Sequence, residues 1–361
     1  MKKYYKMSIL SSFLVVLLIF SGCSSSSSTP SNSTSSDPSS SPQNPNSTSS
    51  SGTATSDKQI TLQFATSFPE SDNRSMAQKW WADKVAEATN NHVIIKMHYG
   101  QSLVPLSQNY DALSTGIVDI MDFASSYITP NVADLSPLDL LVSHNPDNNL
   151  EVDEKIRGLI DEILLPHNIV YLWPLYSGEM IALANKPLTT LDDWKGLRIR
   201  GFGHWSSETV ELFGGVPQTI PLSEMVVALE RGTVDGAFNA WTTARATKQH
   251  ELVTDVTWFE EYATLWYAVA MSKNSWELLS KEEQEILLDL GNEAAVMARD
   301  LSLKTRDEFK RELDAMGKKQ HSLTEAQKEE FLQLANETWE MVEKDVGEKG
   351  KQLIKELQSL R

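Results

Sequence analysis

The chain has 361 residues, with 32 Lys and Arg against 49 Asp and Glu and a formal net charge of −17. So acidic a body is not drawn to nucleic acid or to anionic lipid, and any anionic ligand must be gripped by a local basic group against the global field. A single cysteine rules out a disulfide framework, a multi-cysteine metal site and, standing where it does, a thiol nucleophile.

From the start of the chain, Lys2, Lys3 and Lys6 precede an apolar run, Ile9 to Phe20, broken only by Ser11 and Ser12. That is a charged leader and an apolar core of signal-peptide length, short for a membrane span. Phe20-Ser21-Gly22-Cys23 then resembles a bacterial lipobox, with Phe20 standing where Leu is usual. Residues 1–22 are expected to be cleaved and Cys23 acylated, which leaves a charge of −17 − 3 = −20 once the three Lys are gone. Residues 23–56, rich in Ser, Thr, Pro and Asn, lack the apolar side chains that offset ordering entropy and are expected to form a disordered tether reaching roughly 30 Å.

The folded body, from about residue 57 to 361, is long enough for two lobes with separate cores. Gln59–Thr66 alternates as a strand, Ser75–Ala88 has helical spacing behind a cap at Asp72 or Ser75, and Val93–His98 reads as a strand. Pro105–Asp119 (PLSQNYDALSTGIVD) and Pro221–Asp235 (PLSEMVVALERGTVD) share eight of fifteen residues at an offset of 116, one supersecondary unit used twice. In each, a helix ends at a glycine, Gly116 or Gly232, suited to the left-handed region, and a strand is expected to start at once at Ile117 or Thr233. Asp119–Ala124, Ile169–Trp173, Met180–Ala184, Leu197–Arg200 and Val234–Phe238 read as strands, Asp153–Leu165 and Glu208–Phe213 as helices. From Ser280 onward the chain is helical, with capping boxes at Ser280/Glu283 and Thr324/Gln327 and a break near Gly317. Strands alternating with helices predict an α/β body with sheets rich in parallel pairs.

Catalytic and metal signals are poor. The seven histidines form no metal-spaced cluster, there is no HExxH or GxSxG, and Gly201-Phe202-Gly203 lacks the third glycine of a dinucleotide loop. No cofactor, no metal and no enzymatic activity are expected. Arg200 stands instead at the carboxyl end of a strand, where open α/β sheets place ligands, and a guanidinium there can fork onto a carboxylate. An internal ion pair is the equally weighted alternative on the residues alone. Asn239 and Trp241 follow a second strand, Asn239 as a candidate polar partner of Arg200 and Trp241 as a candidate apolar wall.

Lys195-Gly196-Leu197-Arg198-Ile199-Arg200, Gly214-Gly215-Val216-Pro217, Pro221–Glu224 and Ala228–Gly236 come in succession, preceded by Tyr99–Leu103 and Ala112–Asp119. This pattern resembles the substrate-binding subunits of TRAP transporters of the DctP type, over Gln59 to about Leu290. The resemblance implies a two-lobed fold like that of periplasmic binding proteins, closing over an organic acid, with long C-terminal helices spanning both lobes. One lobe is expected from residues 57–178 plus about 267–312, the other, with the bracing helices, from 179–266 plus about 313–361. It implies that Arg200 binds the substrate carboxylate, that Asn239 contacts the ligand, and that Ser67, Phe68, Glu70, Ser126 and Tyr127 line the cleft. Where many relatives carry a second arginine this chain has Met180. With Phe238, Trp205, Trp241 and Tyr127 as apolar walls, the expectation is one carboxylate on an apolar or aromatic body. The implied partners are small and large permease subunits and, through Cys23, a membrane outside the cytoplasm. A binding protein serving an ABC transporter or a sensor, and a surface-anchored hydrolase, stay open as alternatives.

Overall fold

A computed structural model of the chain describes residues 58–141, 144–260 and 266–360. The apolar leader, Cys23 and the Ser-rich stretch lie outside the described residues. The strands are β1 (Ile60–Ala65), β2 (Val93–His98), β3 (Ile120–Ala124), β4 (Ile169–Leu175), β5 (Met180–Ala184), β6 (Arg198–Gly201), β7 (Val216–Thr219), β8 (Gly236–Ala240), β9 (Asp255–Phe259), β10 (Tyr267–Ser272) and β11 (Lys319–Ser322). They form two sheets, ordered β2-β1-β3-β10-β4 and β11-β9-β5-β8-β6-β7. Pairing is mixed. β1 runs parallel to β2 and β3, and β6 to β7 and β8, whereas β10 and β5 are antiparallel to both of their neighbours. β10 therefore returns from the second lobe into the middle of the first sheet.

The repeat folds alike in its two copies. Pro105 and Pro221 are extended, single 3-10 turns follow at Leu106–Gln108 and Leu222–Glu224, and helices Asn109–Thr115 and Met225–Glu230 come next. Gly116 and Gly232 have φ of 76° and 63°, the left-handed region that glycine enters without a Cβ clash. The strands do not start at Ile117 and Thr233 but three residues on, at Ile120 and Gly236. The intervening residues are held back on the helix, with Val118 N–H donating to Ala112 O and Val234 N–H to Ala228 O. The aspartate closing each copy then ties it to the adjacent parallel strand: Asp119 accepts from Gln63 N–H at 2.7 Å, and Asp235 from Arg198 N–H at 2.9 Å.

Helix Asn73–Ala88 starts at Asp72, whose carboxylate accepts from Arg74 N–H, and buries Trp81 and Val85. The Trp81 indole packs edge-on to Phe64 and Trp173 and donates to Leu287 O at 3.0 Å. Leu287 belongs to the 35-residue helix Lys281–Ala315, which opens with the expected Ser280/Glu283 box. Its first half lies on the first lobe, where Gly291 presses on Trp173 so closely that a Cβ would sit 2.4 Å from the ring. Its last turns send Phe309 and Leu313 into the second lobe's core with Trp241 and Trp258. Residues 313–361, assigned from sequence to the second lobe and its braces, divide between the lobes. β11 joins the second sheet and helix Glu325–Asp345 covers it through Phe331, but helix Glu348–Ser359 buries Leu353, Ile354 and Leu357 on the first lobe's side, against segments Ala133–Asp139 and Asn149–Leu164.

Candidate functional site

Arg200 sits on β6 in register with Ala237 of β8, so Arg200 and Asn239, two residues further along, share one face of the second sheet. Arg200 is 1% exposed and has no carboxylate partner among the described residues. Its Nε donates to Ile220 O at 2.9 Å and its Nη2 to the Tyr127 hydroxyl of the first lobe at 3.5 Å. A guanidinium carries five N–H groups, so three are left for another acceptor. Burial lowers the Arg200 pKa, opposed only by Tyr127 and Tyr267. An arginine starts from so high a value that it stays charged. A buried cation without an anion is costly, and an anionic ligand would offset that cost.

The first lobe meets this group with the short helix Ser125–Ile128 at the end of β3. Tyr127 also accepts from Leu222 N–H at 3.2 Å, so its oxygen touches the second lobe twice. Ser126 is buried with its Oγ unpartnered, and Gly203 of the second lobe lies against it. Ser67 donates both its N–H and its hydroxyl to Asp122. Burial pushes the Asp122 pKa up to about 6, against the Ser67 bonds and the charge of Arg74. Phe68 is fully buried, with its ring 5.5 Å from that of Tyr267.

Two residues here were not singled out in the sequence. Arg74 is fully buried, with its guanidinium 3.5 Å over the Phe68 ring. It forks onto Asp72 at 2.8 and 3.0 Å and donates through Nη1 to Thr243 Oγ1 of the second lobe at 3.2 Å. Arg74 is therefore a neutralised clasp, unlike Arg200. A polar groove of about 450 Å³ opens beside it, lined from both lobes by Asp72, Asn73, Thr242 and Arg245. Tyr267, the first residue of β10, is the second: its electrostatic neighbours are Arg74, Tyr127, Asp122 and Arg200. The sequence signal for Arg74 was its place two residues past the Asp72 cap; Tyr267 gave none.

The other expected cleft residues divide between this region and the cores. Phe238 faces the opposite side of the second sheet from Asn239, within an aromatic core of Trp194, Phe213 and Phe259. Trp241 opens helix Trp241–Ala246, stacks on Phe309 and donates its indole N–H to Glu179 at 2.8 Å. Since Glu179 also pairs with Arg306 of the long helix, Trp241 braces the crossing Tyr176–Glu179 between the lobes, and it also lines the groove of about 450 Å³ beside Asp72 and Asn73. Gly178, at φ 79°, admits that indole, which would sit 2.3 Å from a Cβ. Trp205 is buried beside His204 at the start of helix His204–Leu212. Met180 is buried in β5 between Ala240 and Phe259, so no charge stands at that slot. Glu70 is exposed, nearest in charge to Lys79 and Tyr99. Asn239 shares the face of Arg200, but its amide donates to Gln249 Oε1 at 3.3 Å and accepts from Ala240 N–H at 2.9 Å. Among the described residues, no group of three or more His, Cys, Asp or Glu is placed to hold a metal ion.

Comparison with known proteins gives concordant matches. The family model for bacterial extracellular solute-binding proteins, family 7 (DctP), matches residues 64–345. A solute-binding protein of Chromohalobacter salexigens is 24% identical over 237 residues, 64% of this chain and 70% of that one. Among solved structures, DctP7 of Bordetella pertussis, an extracytoplasmic solute receptor binding pyroglutamic acid, superposes with a TM-score of 0.77 at 19% identity, covering 83% of this chain and 99% of that one. A TRAP periplasmic solute-binding protein of Chromohalobacter salexigens with bound D-glucuronate has a TM-score of 0.78 at 21% identity, over 83% of this chain and all of that one (100%).

Proposed function

The chain belongs to family 7 of the bacterial extracellular solute-binding proteins, and we propose that it captures an organic acid anion through Arg200 and delivers it to the membrane subunits of a TRAP-type permease. The observation that carries this reading is a charged, fully buried guanidinium with no acid beside it among the described residues. The second buried guanidinium in the cleft, Arg74, is already matched by Asp72, and Met180 brings no charge, so one uncompensated cation favours a ligand with one carboxylate. The solved receptors with bound pyroglutamic acid and D-glucuronate carry ligands of that kind. The lobes would close because the ligand touches both only when they are shut. No reaction on the ligand is part of this reading.

Arg200→Ala is expected to abolish or severely weaken binding of any acid that raises the wild-type melting temperature, without lowering the melting temperature of the free protein by more than a few degrees. Unchanged affinity by calorimetry would remove Arg200 from the site. We further propose that acylated Cys23 anchors the body outside the cytoplasm. Cys23→Ser should move the protein from the membrane fraction to the soluble one, and retention in the membrane would defeat the lipid anchor.

A further inference from the structure

Two phenolic protons near Arg200 donate to no acceptor among the described residues. The Tyr127 oxygen already accepts from Leu222 N–H and from Arg200 Nη2, which occupies both of its lone pairs and leaves its own O–H unspent. Tyr267 is 4% exposed, and its hydroxyl makes no hydrogen bond among the described residues. Asp122, the neighbouring carboxylate, takes the N–H and hydroxyl of Ser67 and no bond from Tyr267 among the described residues. Tyr127 is only half-buried and Tyr267 is 4% exposed, so both hydroxyls keep a proton to offer a group in the cleft. Three N–H groups of Arg200 are unspent at the same place.

A carboxylate is the complement of this set. It only accepts, it offers about four lone-pair sites, and it carries the charge that Arg200 lacks. We propose that Tyr127, Tyr267 and Arg200 form one receptor for a single carboxylate, the two phenols donating from the first lobe and the guanidinium from the second, and that Tyr127 couples its occupation to closure. The inference rests on the organic-acid reading above and adds the donors that complete it.

The repeat supports the coupling. Leu106 and Leu222 are equivalent, 116 residues apart, at the start of the two 3-10 turns. In the first copy the Leu106 N–H is satisfied within its own lobe, by Gln101 Oε1 at 2.9 Å. In the second copy the Leu222 N–H is satisfied from across the cleft, by Tyr127 at 3.2 Å. Opening strips Leu222 of its partner, and closing restores it while bringing the Tyr127 proton to the anion.

The test uses the protein from Cys23→Ser cells, with acetate, pyroglutamate, succinate and D-glucuronate as probes in thermal-shift and calorimetric titrations. For a probe that the wild type binds, Tyr267→Phe and Tyr127→Phe should each weaken binding roughly ten- to hundredfold, the range for hydrogen bonds to a charged group. The carboxamide of the same probe should bind wild type and variants equally, which a merely structural role for the rings would not produce. Tyr127→Phe with saturating probe should also show a larger radius of gyration than wild type by X-ray scattering. If Arg200→Ala abolishes binding while both phenylalanine variants retain wild-type affinity, the three-donor receptor is wrong and the organic-acid reading stands. If none of the four probes affects the wild type, both fall. Should Tyr267→Phe not fold, Tyr127→Phe decides alone.

Discussion

Adding one methyl group at Gly203 should hold the lobes apart. Gly203 is extended (φ −167°, ψ −169°), a conformation that alanine adopts freely, so the substitution brings no backbone strain. Its Cβ, however, would lie 2.7 Å from the Ser126 Cβ and 3.1 Å from the Ser126 carbonyl oxygen, in the other lobe. Carbon atoms settle at about 3.5–4.0 Å, so the gap must widen by roughly 1 Å. A shift of that size carries the Leu222–Tyr127 bond from 3.2 Å, and the Arg200–Tyr127 contact from 3.5 Å, beyond hydrogen-bonding range. Two such bonds together contribute about 1–3 kcal/mol to the closed state. Ligand affinity, scaled by the fraction of closed molecules, should then fall roughly five- to hundredfold. Calorimetry with a bound acid measures the loss, and X-ray scattering of the same samples should report a larger radius of gyration. Unaltered affinity and unaltered radius together would refute the argument, because they would mean that Ser126 and Gly203 do not meet in the bound form.

Two further outcomes follow from other parts of the molecule. Phe238→Ala should cost about 3–5 kcal/mol of stability, since it empties the aromatic core of the second lobe, yet leave affinity for a bound acid within twofold; a fall in affinity at intact stability would return Phe238 to the cleft. Asp122 has its pKa raised by burial from 3.8 to about 6, so its contribution to stability is complete below about pH 4 and is lost as pH rises through 6. In urea unfolding, Asp122→Asn should therefore gain on the wild type by about 3 kcal/mol between pH 4 and pH 7, and a difference that stays flat with pH would contradict that burial.

Local chemistry made much of this fold legible. Val93–His98 and Met180–Ala184 are strands from their first residue to their last, Asp72, Ser280 and Thr324 cap helices as their sequences predict, and Gly116 and Gly232 take the left-handed turn. The order of strands was not legible. β10 is buried along its whole length, so Tyr267–Ser272 shows no alternation, and the strand enters a sheet whose other members precede it by nearly a hundred residues or more. For the same reason Tyr267 could not be associated with Arg200, while Arg200 itself stood out from its strand end. Phe238 and Asn239 show the converse fault. Both looked suited to a ligand, but adjacent residues of a strand face opposite ways, and only one of them could share the face of Arg200.

Helix Lys281–Ala315, at about 1.5 Å per residue, is a spar roughly 52 Å long, fastened to one half of the body by its first turns and to the other by its last. Two halves mounted on the same unbroken beam cannot slide past each other along it. They can swivel about it, or flex it, and little else. Any opening of the two halves is therefore expected to run as a swivel about this helix or a flexing of it.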